Sequence, residues 1–553
     1  MKANIPQEKL VLNLNDELFV SGETLYYKVF CLNEETNRLS NLSKVAYVEL
    51  MGIDKNVLFK HKLKLENGMS YSQFFIPANT PTGNYKLLAY TQWMKNNEVK
   101  PFFIKDIYVV SPYITLPKVS DDIVGEKYDI EIEYKAHKDL NTNKSRYFDL
   151  RTDSNQYTPR SKGILNIENL IGNAAYGNYS LYIREVDSVF VKGNSKIDLS
   201  NNFVKSDTRF FLPEIRGEII SGKVVSKENK NYSKSNVIVS LSIPESNPIF
   251  KNVSTDENGR FFFNLHETYT SPNLILRILH MEQKDLTILL DNKDFDYYGA
   301  LKFNTIHLNS NIENWLINRS IKNQLENAYS EVKRDSTIPI TFSNSFYGKP
   351  SISYKLDDYK RFPTVRETFK EVIEGAGVRK NKDNYALKVY YDDDLERPEF
   401  DNYEPLILVD GIVIQDNSHL MRFSPFKIET INLLKGVYFN GPSIFNGVID
   451  VITKERDFFK ASNIEGLNSF DISLFQEKEM YYTPNYDLER MKLKRIPDYR
   501  HQLIWYPDIT LKDEAKSIEF YTSDVTGFFE IVLEGFGLDG NYIGVKTYIE
   551  VKN

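Results

Sequence analysis

The residues whose types suit catalysis or metal binding are few and scattered. Cys31 is the only cysteine, so the chain can form neither an internal disulfide nor a CxxC-type site. GxSxG, Walker A and glycine-rich dinucleotide motifs are absent. The seven histidines show no HExxH or i,i+4 spacing, which excludes the usual sequence signal of a zinc site; they are His61, His137, His266, His280, His307, His419 and His501. We therefore expect no enzyme activity and no catalytic, cofactor-binding or metal-binding residue.

Two acidic stretches leave an alternative open. The oxygens of Asp256-Glu257-Asn258-Gly259 suit calcium, but Asn258-Gly259 is also the signal of a type I′ hairpin turn, which we favour. The three carboxylates of Asp392-Asp393-Asp394 suit a cation, but a solvated loop is the simpler interpretation.

Composition narrows the class of protein. With 553 residues, 41% hydrophobic and 26% charged, the chain is globular and too long for a single core. Its 36 Tyr and 35 Phe favour pleated sheets. The net charge of −7 comes from interspersed signs, and this pattern excludes a basic stripe for nucleic acid. No run of about 18 apolar residues predicts a transmembrane helix.

The first 113 residues alternate short apolar strands with turns, which predicts a β-sandwich. The segments "QEKLVLNLNDELFVSGETLYYKVFCLN", "LSKVAYVELMG" and "ENGMSYSQFFIPANTPTGNYKLLAYTQWMKN" resemble the MG2 domain of the alpha-2-macroglobulin-like superfamily, in the versions found in exported Bacteroidetes envelope proteins. Gly22-Glu23 and the turn from Pro81 to Tyr85 recur in that family. Its covalent inhibitors use a Cys-Gln thioester, which Cys31 has no Gly-Glu-Gln context to form, so we exclude covalent trapping.

Two further stretches resemble β-sandwich modules. "SGKVV…VIVSLSIP…VSTDENGRFFFNL" resembles the carboxypeptidase regulatory-like sandwich. The stretch from Phe520 to Asp524, followed by Gly527, resembles the macroglobulin-type domain that ends the same Bacteroidetes proteins. Between these modules, residues 314–332 have the strongest helical pattern, and Thr364 with Glu367 predicts a capped second helix.

The segment from Tyr403 to Lys454 resembles the plug domain of TonB-dependent receptors. Its "PLILVDG", "IETINLLKG" and "FNGVIDVITK" match the motifs of that family, although Asn440-Gly441 stands where the family prefers Tyr-Gly. A receptor follows its plug with a barrel of about 22 amphipathic strands, and we find no such pattern here. The resemblance implies the fold of a plug but not transport by this chain.

The predicted fold class is mainly β, a string of Ig-like or macroglobulin-type β-sandwiches with one small α+β plug-like domain. The predicted domains are 1–113 (MG2-like), 114–212 (second macroglobulin-type sandwich), 213–310 (carboxypeptidase regulatory-like), 311–355 (helix and linker), 356–457 (plug-like) and 458–553 (C-terminal macroglobulin-type or Ig-like sandwich).

The favoured function is that of a non-enzymatic cell-envelope protein that docks on an outer-membrane or periplasmic protein partner. Exposed loops on a rigid scaffold are the usual place for recognition. We therefore expect the contacts in two loops of the plug-like domain, at Asn417, His419, Phe423, Pro425, Tyr438, Asn440 and Phe445. The resemblance implies export, and because Met1 to Gln7 has no apolar stretch, we expect that a signal peptide is missing from the supplied sequence.

Three alternatives stay open at this point. A structural or adhesive surface protein would use the plug-like domain only for its fold. A protease-binding protein without a thioester and an enzyme acting on peptides or glycans are less favoured. The ligand, the oligomeric state and any lipid anchor are not predicted.

Overall fold

A computed structural model describes residues 5–96, 102–113, 129–134, 145–192, 209–226, 235–279, 285–294, 301–339, 345–381, 384–391, 398–462, 464, 467–488, 493 and 495–553. The acidic stretch Asp392–Asp394 therefore lies outside the described residues. The chain is mainly β, with 49% strand and 12% helix, as the sequence predicts.

The first twenty-one strands are β1 (Glu8–Leu14), β2 (Leu18–Val20), β3 (Thr24–Asn33), β4 (Val45–Met51), β5 (Val57–Lys64), β6 (Met69–Phe75), β7 (Gly83–Tyr90), β8 (Phe103–Val110), β9 (Asp129–Tyr134), β10 (Phe148–Thr152), β11 (Gln156–Tyr157), β12 (Lys162–Asn169), β13 (Gly177–Glu185), β14 (Val189–Lys192), β15 (Glu218–Ser226), β16 (Ile238–Ile243), β17 (Ile249–Ser254), β18 (Arg260–Leu265), β19 (Asn273–Ile278), β20 (Leu286–Leu290) and β21 (Thr305–Leu308). The later elements are α1 (Glu313–Ala328), β22 (Ser336–Thr337), β23 (Ile352–Lys355), α2 (Val365–Glu371), β24 (Ala376–Asn381), β25 (Asn384–Val389), β26 (Leu406–Val409), β27 (Ile412–Val413), α3 (Ser418–Arg422), β28 (Ile428–Asn440), β29 (Ser443–Thr453), α4 (Phe458–Ser462), β30 (Asn468–Asp471), β31 (Glu479–Met480), β32 (Gln502–Leu511), β33 (Ala515–Tyr521), β34 (Gly527–Gly537) and β35 (Tyr542–Val551).

These elements form two compact units. Unit 1 comprises residues 1–215, 295–339 and 476–553, and unit 2 comprises residues 216–294 and 340–475.

Unit 1 begins with the sandwich predicted for residues 1–113, hereafter the first sandwich. Its sheets have the orders β1-β3-β6 and β2-β8-β7-β4-β5. Between them the ring of Tyr27 stacks 6.3 Å from that of Phe59, and the Tyr27 hydroxyl lies 2.8 Å from Nδ1 of His61. Its strands are short and separated by turns, as the sequence predicts.

A second sandwich in unit 1 combines distant parts of the chain, and we call it the composite sandwich. Its sheets have the orders β10-β12-β33 and β11-β35-β34-β13-β32. One buried core holds residues from both ranges, such as Phe148 and Phe529. This differs from the predicted division, which places residues 114–212 and 458–553 in separate sandwiches. Each range contributes strands to both sheets and neither completes a sheet alone, so each completes its core with strands of the other.

Helix α1 confirms the helical pattern at residues 314–332 and fastens the parts of unit 1. Its buried Arg319 donates from Nε to Oε1 of Glu23 and from Nη1 to Oδ1 of Asp187, at 2.6 Å in both cases. Asn323 adds a 2.9 Å hydrogen bond to Oε1 of Glu23. Burial alone would raise the pKa of Glu23, but the Arg319 guanidinium holds it below the usual value. Glu23 of the predicted Gly-Glu motif therefore anchors α1.

Unit 2 contains a sandwich with the sheet orders β18-β15-β20 and β17-β16-β19-β30, hereafter the β15–β20 sandwich. Its β17–β18 connection is a turn, as expected. Oδ1 of Asp256 accepts hydrogen bonds from the amides of Asn258 and Arg260, and Gly259 has a φ of 76°. The type I′ assignment was wrong, because only Gly259 of the Asn258-Gly259 pair has a positive φ. The Asp256 carboxylate is used by the turn itself.

The second part of unit 2 is the α+β subdomain, residues 345–462. Its sheet has the order β23-β28-β29-β26-β27, and α2 and α3 contribute to one core with the sheet. The Thr364 hydroxyl caps α2 by accepting from the amide of Glu367 at 3.2 Å, as predicted. A second core joins the subdomain to the β15–β20 sandwich; it includes Phe250, Leu279, Leu406, Leu408, Phe445 and Val448.

We predict that Arg319→Met strongly destabilises unit 1. The variant leaves Glu23 and Asp187 buried without a cation, which costs about 3–5 kcal/mol. The measurement is chemical denaturation followed by tryptophan fluorescence, which reports on unit 1 because Trp93, Trp315 and Trp505 all lie in it.

Arg334→Met is the matched control, because Arg334 pairs with Glu331 on an exposed surface. Its denaturation midpoint should equal that of the wild type. Equal shifts for the two variants would contradict the anchoring role of Arg319.

Candidate functional site

The motif that most resembles a receptor plug has a structural role in the α+β subdomain. Asp410 has a φ of 49° and a buried carboxylate. This carboxylate accepts from the amide and from the hydroxyl of Thr453, both at 2.8 Å. The next residue, Gly411, has a φ of 79°, and a Cβ there would lie 2.4 Å from Cβ of Pro248. The "VDG" and "TK" motifs thus fasten the ends of β26 and β29 together.

The first predicted interaction loop is partly exposed. Asn417 precedes α3 and donates to the Tyr385 carbonyl at 2.9 Å. His419 is half-buried, with Nε2 3.8 Å from a carboxylate oxygen of Asp416.

The end of this loop faces the core. The Phe423 ring packs against Phe458, with centroids 5.0 Å apart, and Pro425 is buried. Asn417 and His419 are both half-buried, and Oδ1 of Asn417 is buried without a hydrogen-bond partner among the described residues. Their roles in recognition stay predictions.

The second predicted loop is the β28–β29 hairpin, and its side chains contact the β15–β20 sandwich. Oδ1 of Asn440 accepts from the amide of Asn252 at 2.8 Å, and its Nδ2 donates to the Phe250 carbonyl at 3.3 Å. The Asn440 amide therefore pairs with the edge strand β17 as a neighbouring strand would. Tyr438 and Phe445 pack in the shared core, and Phe445 is buried. These three residues make contacts within the protein, whereas the sequence predicts that they lie in an exposed loop.

The opposite face of the same hairpin carries an exposed aromatic residue that sequence reasoning missed. Phe439 is 61% exposed and Tyr403 is 44% exposed. The Phe400 ring lies between them, with its centroid 6.2 Å from that of Phe439 and 5.9 Å from that of Tyr403. The sequence signal for this exposed residue is the alternation of side chains in a strand. Since Tyr438 and Asn440 face inwards, Phe439 between them must face outwards.

Carboxylates flank Phe400 and Tyr403 along the chain. Glu399, Asp401 and Glu404 are exposed, and none forms an ion pair with another described residue. We call Glu399 to Glu404 together with Phe439 the aromatic–acidic surface.

Cys31 lies in β3 and is fully buried, as expected for a small apolar residue in a strand. Its Sγ lies 3.3 Å from a carboxylate oxygen of Glu8. Burial, together with Glu8, raises the pKa of the thiol well above its usual value. The thiol is therefore unreactive in the folded protein.

Two further observations concern metal and membrane binding. Across the described residues, no group of three or more His, Cys, Asp or Glu side chains is arranged to hold a metal ion. Among the helices of the described residues, none is long and apolar enough to cross a membrane.

Comparison with solved structures finds remote similarity to bacterial alpha-2-macroglobulins and to an adhesin. Escherichia coli alpha-2-macroglobulin activated by porcine elastase is 9% identical over 99% of this chain and 44% of that chain, with a TM-score of 0.25. Salmonella alpha-2-macroglobulin reacted with methylamine is 10% identical over 98% of this chain and 39% of that one, also with a TM-score of 0.25. The Yersinia pseudotuberculosis adhesin InvE is 13% identical over 51% and 57% of the two chains, with a TM-score of 0.14.

This chain spans less than half the length of the two macroglobulins. TM-scores this low carry no argument about function. The sequence matches no protein-family model and no curated protein. The MG2, carboxypeptidase regulatory-like and plug resemblances therefore stay predictions.

We predict that Asp410→Asn loosens the α+β subdomain. The amide cannot accept from both the Thr453 amide and its hydroxyl, so amide hydrogen exchange in β26 and β29 should accelerate about tenfold, which corresponds to about 1.4 kcal/mol. The exposed Glu429→Gln in β28 is the control and should leave exchange unchanged. Equal amide exchange rates in the wild type and in Asp410→Asn would contradict the role of the Asp410 carboxylate in holding β26 and β29 together.

We also predict that the stability which the neutral side chains of His501 and His61 contribute to unit 1 is lost as the pH falls below 6.5. Burial, with the nearby Arg319, lowers the pKa of His501 to about 3, and burial lowers that of His61 to about 4. Between these values and 6.5 both histidines bind a proton in the unfolded chain and stay neutral in the folded chain. The stability that they contribute above pH 6.5 is therefore lost as the pH decreases.

In His501→Gln the slope of unfolding free energy against pH, between pH 6 and 4.5, should fall by about 1.4 kcal/mol per pH unit. Tryptophan fluorescence during denaturation at each pH measures it. The control is His307→Gln, because His307 is exposed in unit 1. An unchanged slope in His501→Gln would refute the assignment.

Proposed function

We propose that this chain is a non-enzymatic binding protein of the cell envelope. In this proposal the aromatic–acidic surface docks on a basic segment of an outer-membrane or periplasmic protein. The observation that supports it is the exposure of Phe439 beside two other aromatic rings and three unpaired carboxylates.

The aromatic residues supply the apolar part of the contact. Binding sites are enriched in aromatic side chains, and clustered exposed rings are unusual on a surface that faces only water. Phe439 and Tyr403 expose much of their area, whereas Phe400 is held between them. A partner that covers Phe439 would remove a large apolar surface from solvent.

The carboxylates specify the charge of the partner. Glu399, Asp401 and Glu404 lie within six residues, and no cation stands in that stretch. Charge complementarity raises the association rate and disfavours acidic partners. A Lys- or Arg-containing protein segment fits this surface, and an acidic one does not.

The hairpin behind the surface is rigid, which favours binding. Asn440, next to Phe439, is held by two hydrogen bonds to β17, and Tyr438 packs in the shared core. Little conformational entropy is then lost when a partner binds. The internal contacts of the predicted loop residues thus support their exposed neighbour.

The envelope location rests on the resemblance of residues 1–113 to exported Bacteroidetes proteins and of residues 403–454 to receptor plugs. Partners in that compartment are outer-membrane or periplasmic proteins. A structural or adhesive role stays the alternative, and the docking experiment distinguishes the two.

We predict that a photo-reactive benzoylphenylalanine in place of Phe439 cross-links, in the cells that make the protein, to a basic segment of an envelope protein. Mass spectrometry identifies the cross-linked peptide. The combined variant Glu399→Lys, Asp401→Lys and Glu404→Lys should reduce the yield at least about fivefold, because like charges then oppose the contact.

The matched control carries the same photo-reactive residue at Phe262, an exposed aromatic residue of β18 in unit 2. It should give no cross-link to that partner. Equal cross-linking from both positions, or a yield that charge reversal leaves unchanged, would contradict docking and favour the structural role.

A further inference from the structure

A cleft of about 580 Å³ opens in unit 1 between the first sandwich and the composite sandwich. Its walls come from four separate stretches of the chain, around residues 12–18, 103–105, 182–191 and 530–542. Asn13 ties two of these walls together, because its Nδ2 donates to the Ser180 hydroxyl at 3.0 Å and to the Glu534 carbonyl at 3.2 Å. The volume is in the range typical of ligand sites.

Five carboxylates line this cleft, and four of them already have a cation in contact. Arg184 bridges Asp16 and Glu530, and it lies 2.6 Å from the latter. Arg319 neutralises Asp187 at 2.6 Å, and Lys105 pairs with Glu17 at 2.6 Å. These four carboxylates are therefore neutralised by cations of the protein itself.

Glu534 is the exception. Its carboxylate accepts a 2.6 Å hydrogen bond from the neutral Tyr542 hydroxyl and contacts no cation in the described part of the chain. Burial raises the pKa of Glu534 above its usual value, although the Tyr542 hydroxyl and the more distant charges of Arg184 and Lys546 favour the carboxylate. A cation that enters the cleft would supply the missing partner.

Aromatic side chains complete the cleft. The Tyr542 ring is 50% exposed and lies beside the carboxylate that its hydroxyl contacts. Tyr182 and Phe103 add further ring surface to the walls. A planar guanidinium binds a carboxylate through paired hydrogen bonds and stacks on an aromatic face at the same time.

We propose that this cleft binds a cationic side chain, an arginine or a lysine of a peptide or protein, with Glu534 as its counter-ion and Tyr542 as its aromatic wall. The site is independent of the aromatic–acidic surface of unit 2. Arginine is the better ligand, because it uses the carboxylate and the ring together.

The test is isothermal titration calorimetry of the full chain with the peptide acetyl-Gly-Arg-Gly-amide. The matched probe is the same peptide with citrulline, which keeps the shape of arginine and lacks its charge. We expect the arginine peptide to bind with a Kd below about 1 mM and the citrulline peptide at least about tenfold more weakly.

Glu534→Gln should weaken the arginine peptide about tenfold and leave the citrulline peptide unchanged. The control Glu519→Gln removes an exposed carboxylate of β33 that does not line the cleft, and it should bind as the wild type does. Tryptophan fluorescence confirms that both variants are folded.

Equal binding of the two peptides, no measurable binding of either, or full arginine binding by folded Glu534→Gln would each overturn the proposal.

Discussion

The buried guanidinium of Arg319 is the interaction on which unit 1 depends. It lies on α1 and contacts Glu23 at the start of β3 and Asp187 in the connection from β13 to β14. Arginine cannot give up its proton, so its burial is tolerated only where a carboxylate pairs with it. The helix, the first sandwich and the composite sandwich therefore have to dock together. Asp187 is also part of the cleft wall, so the same contact that assembles unit 1 sets the shape of its cleft.

In unit 2, two polar side chains hold separate segments of the chain together. The Asp410 carboxylate fastens the end of β29, and the Asn440 amide pairs with the edge of β17. Both residues lie in the segment that resembles a receptor plug, and Asn440 is the position where this chain departs from that family's preference. The pairing with β17 accounts for an amide at this position. The side chains of Asp410 and Asn440 therefore hold the backbone of the α+β subdomain in place.

Local features were predictable from the sequence, whereas contacts between distant segments were not. The strands of the first sandwich, helix α1 and the Thr364 cap follow from periodicity and capping chemistry within a few residues. The pairing of β12 with β33 joins residues more than 340 positions apart, as in Lys162 opposite Tyr521, and no local pattern specifies it. The sequence singled out Glu23 but not its partner Arg319, because an ion pair between distant segments leaves no pattern in the sequence. At the β28–β29 hairpin the predicted residues make internal contacts and Phe439 is exposed instead, since a shift of one residue turns a strand's side chains to the other side.

The two proposed sites share a chemistry that follows from how the chain uses its cations. Arg184, Arg319 and Arg500 are mostly buried, and each is held by internal carboxylates. These three cations are held by five carboxylates, those of Asp16, Glu530, Glu23, Asp187 and Asp498, so none of the three is available to other carboxylates. Elsewhere in the described part of the chain some carboxylates have no cation in contact. Glu534 in the cleft and Glu399, Asp401 and Glu404 beside Phe439 are such unmatched groups. Each lies beside aromatic rings that water solvates poorly. A cationic side chain can pair with a carboxylate and pack on an aromatic ring at the same time, which is the arrangement that both proposed sites share.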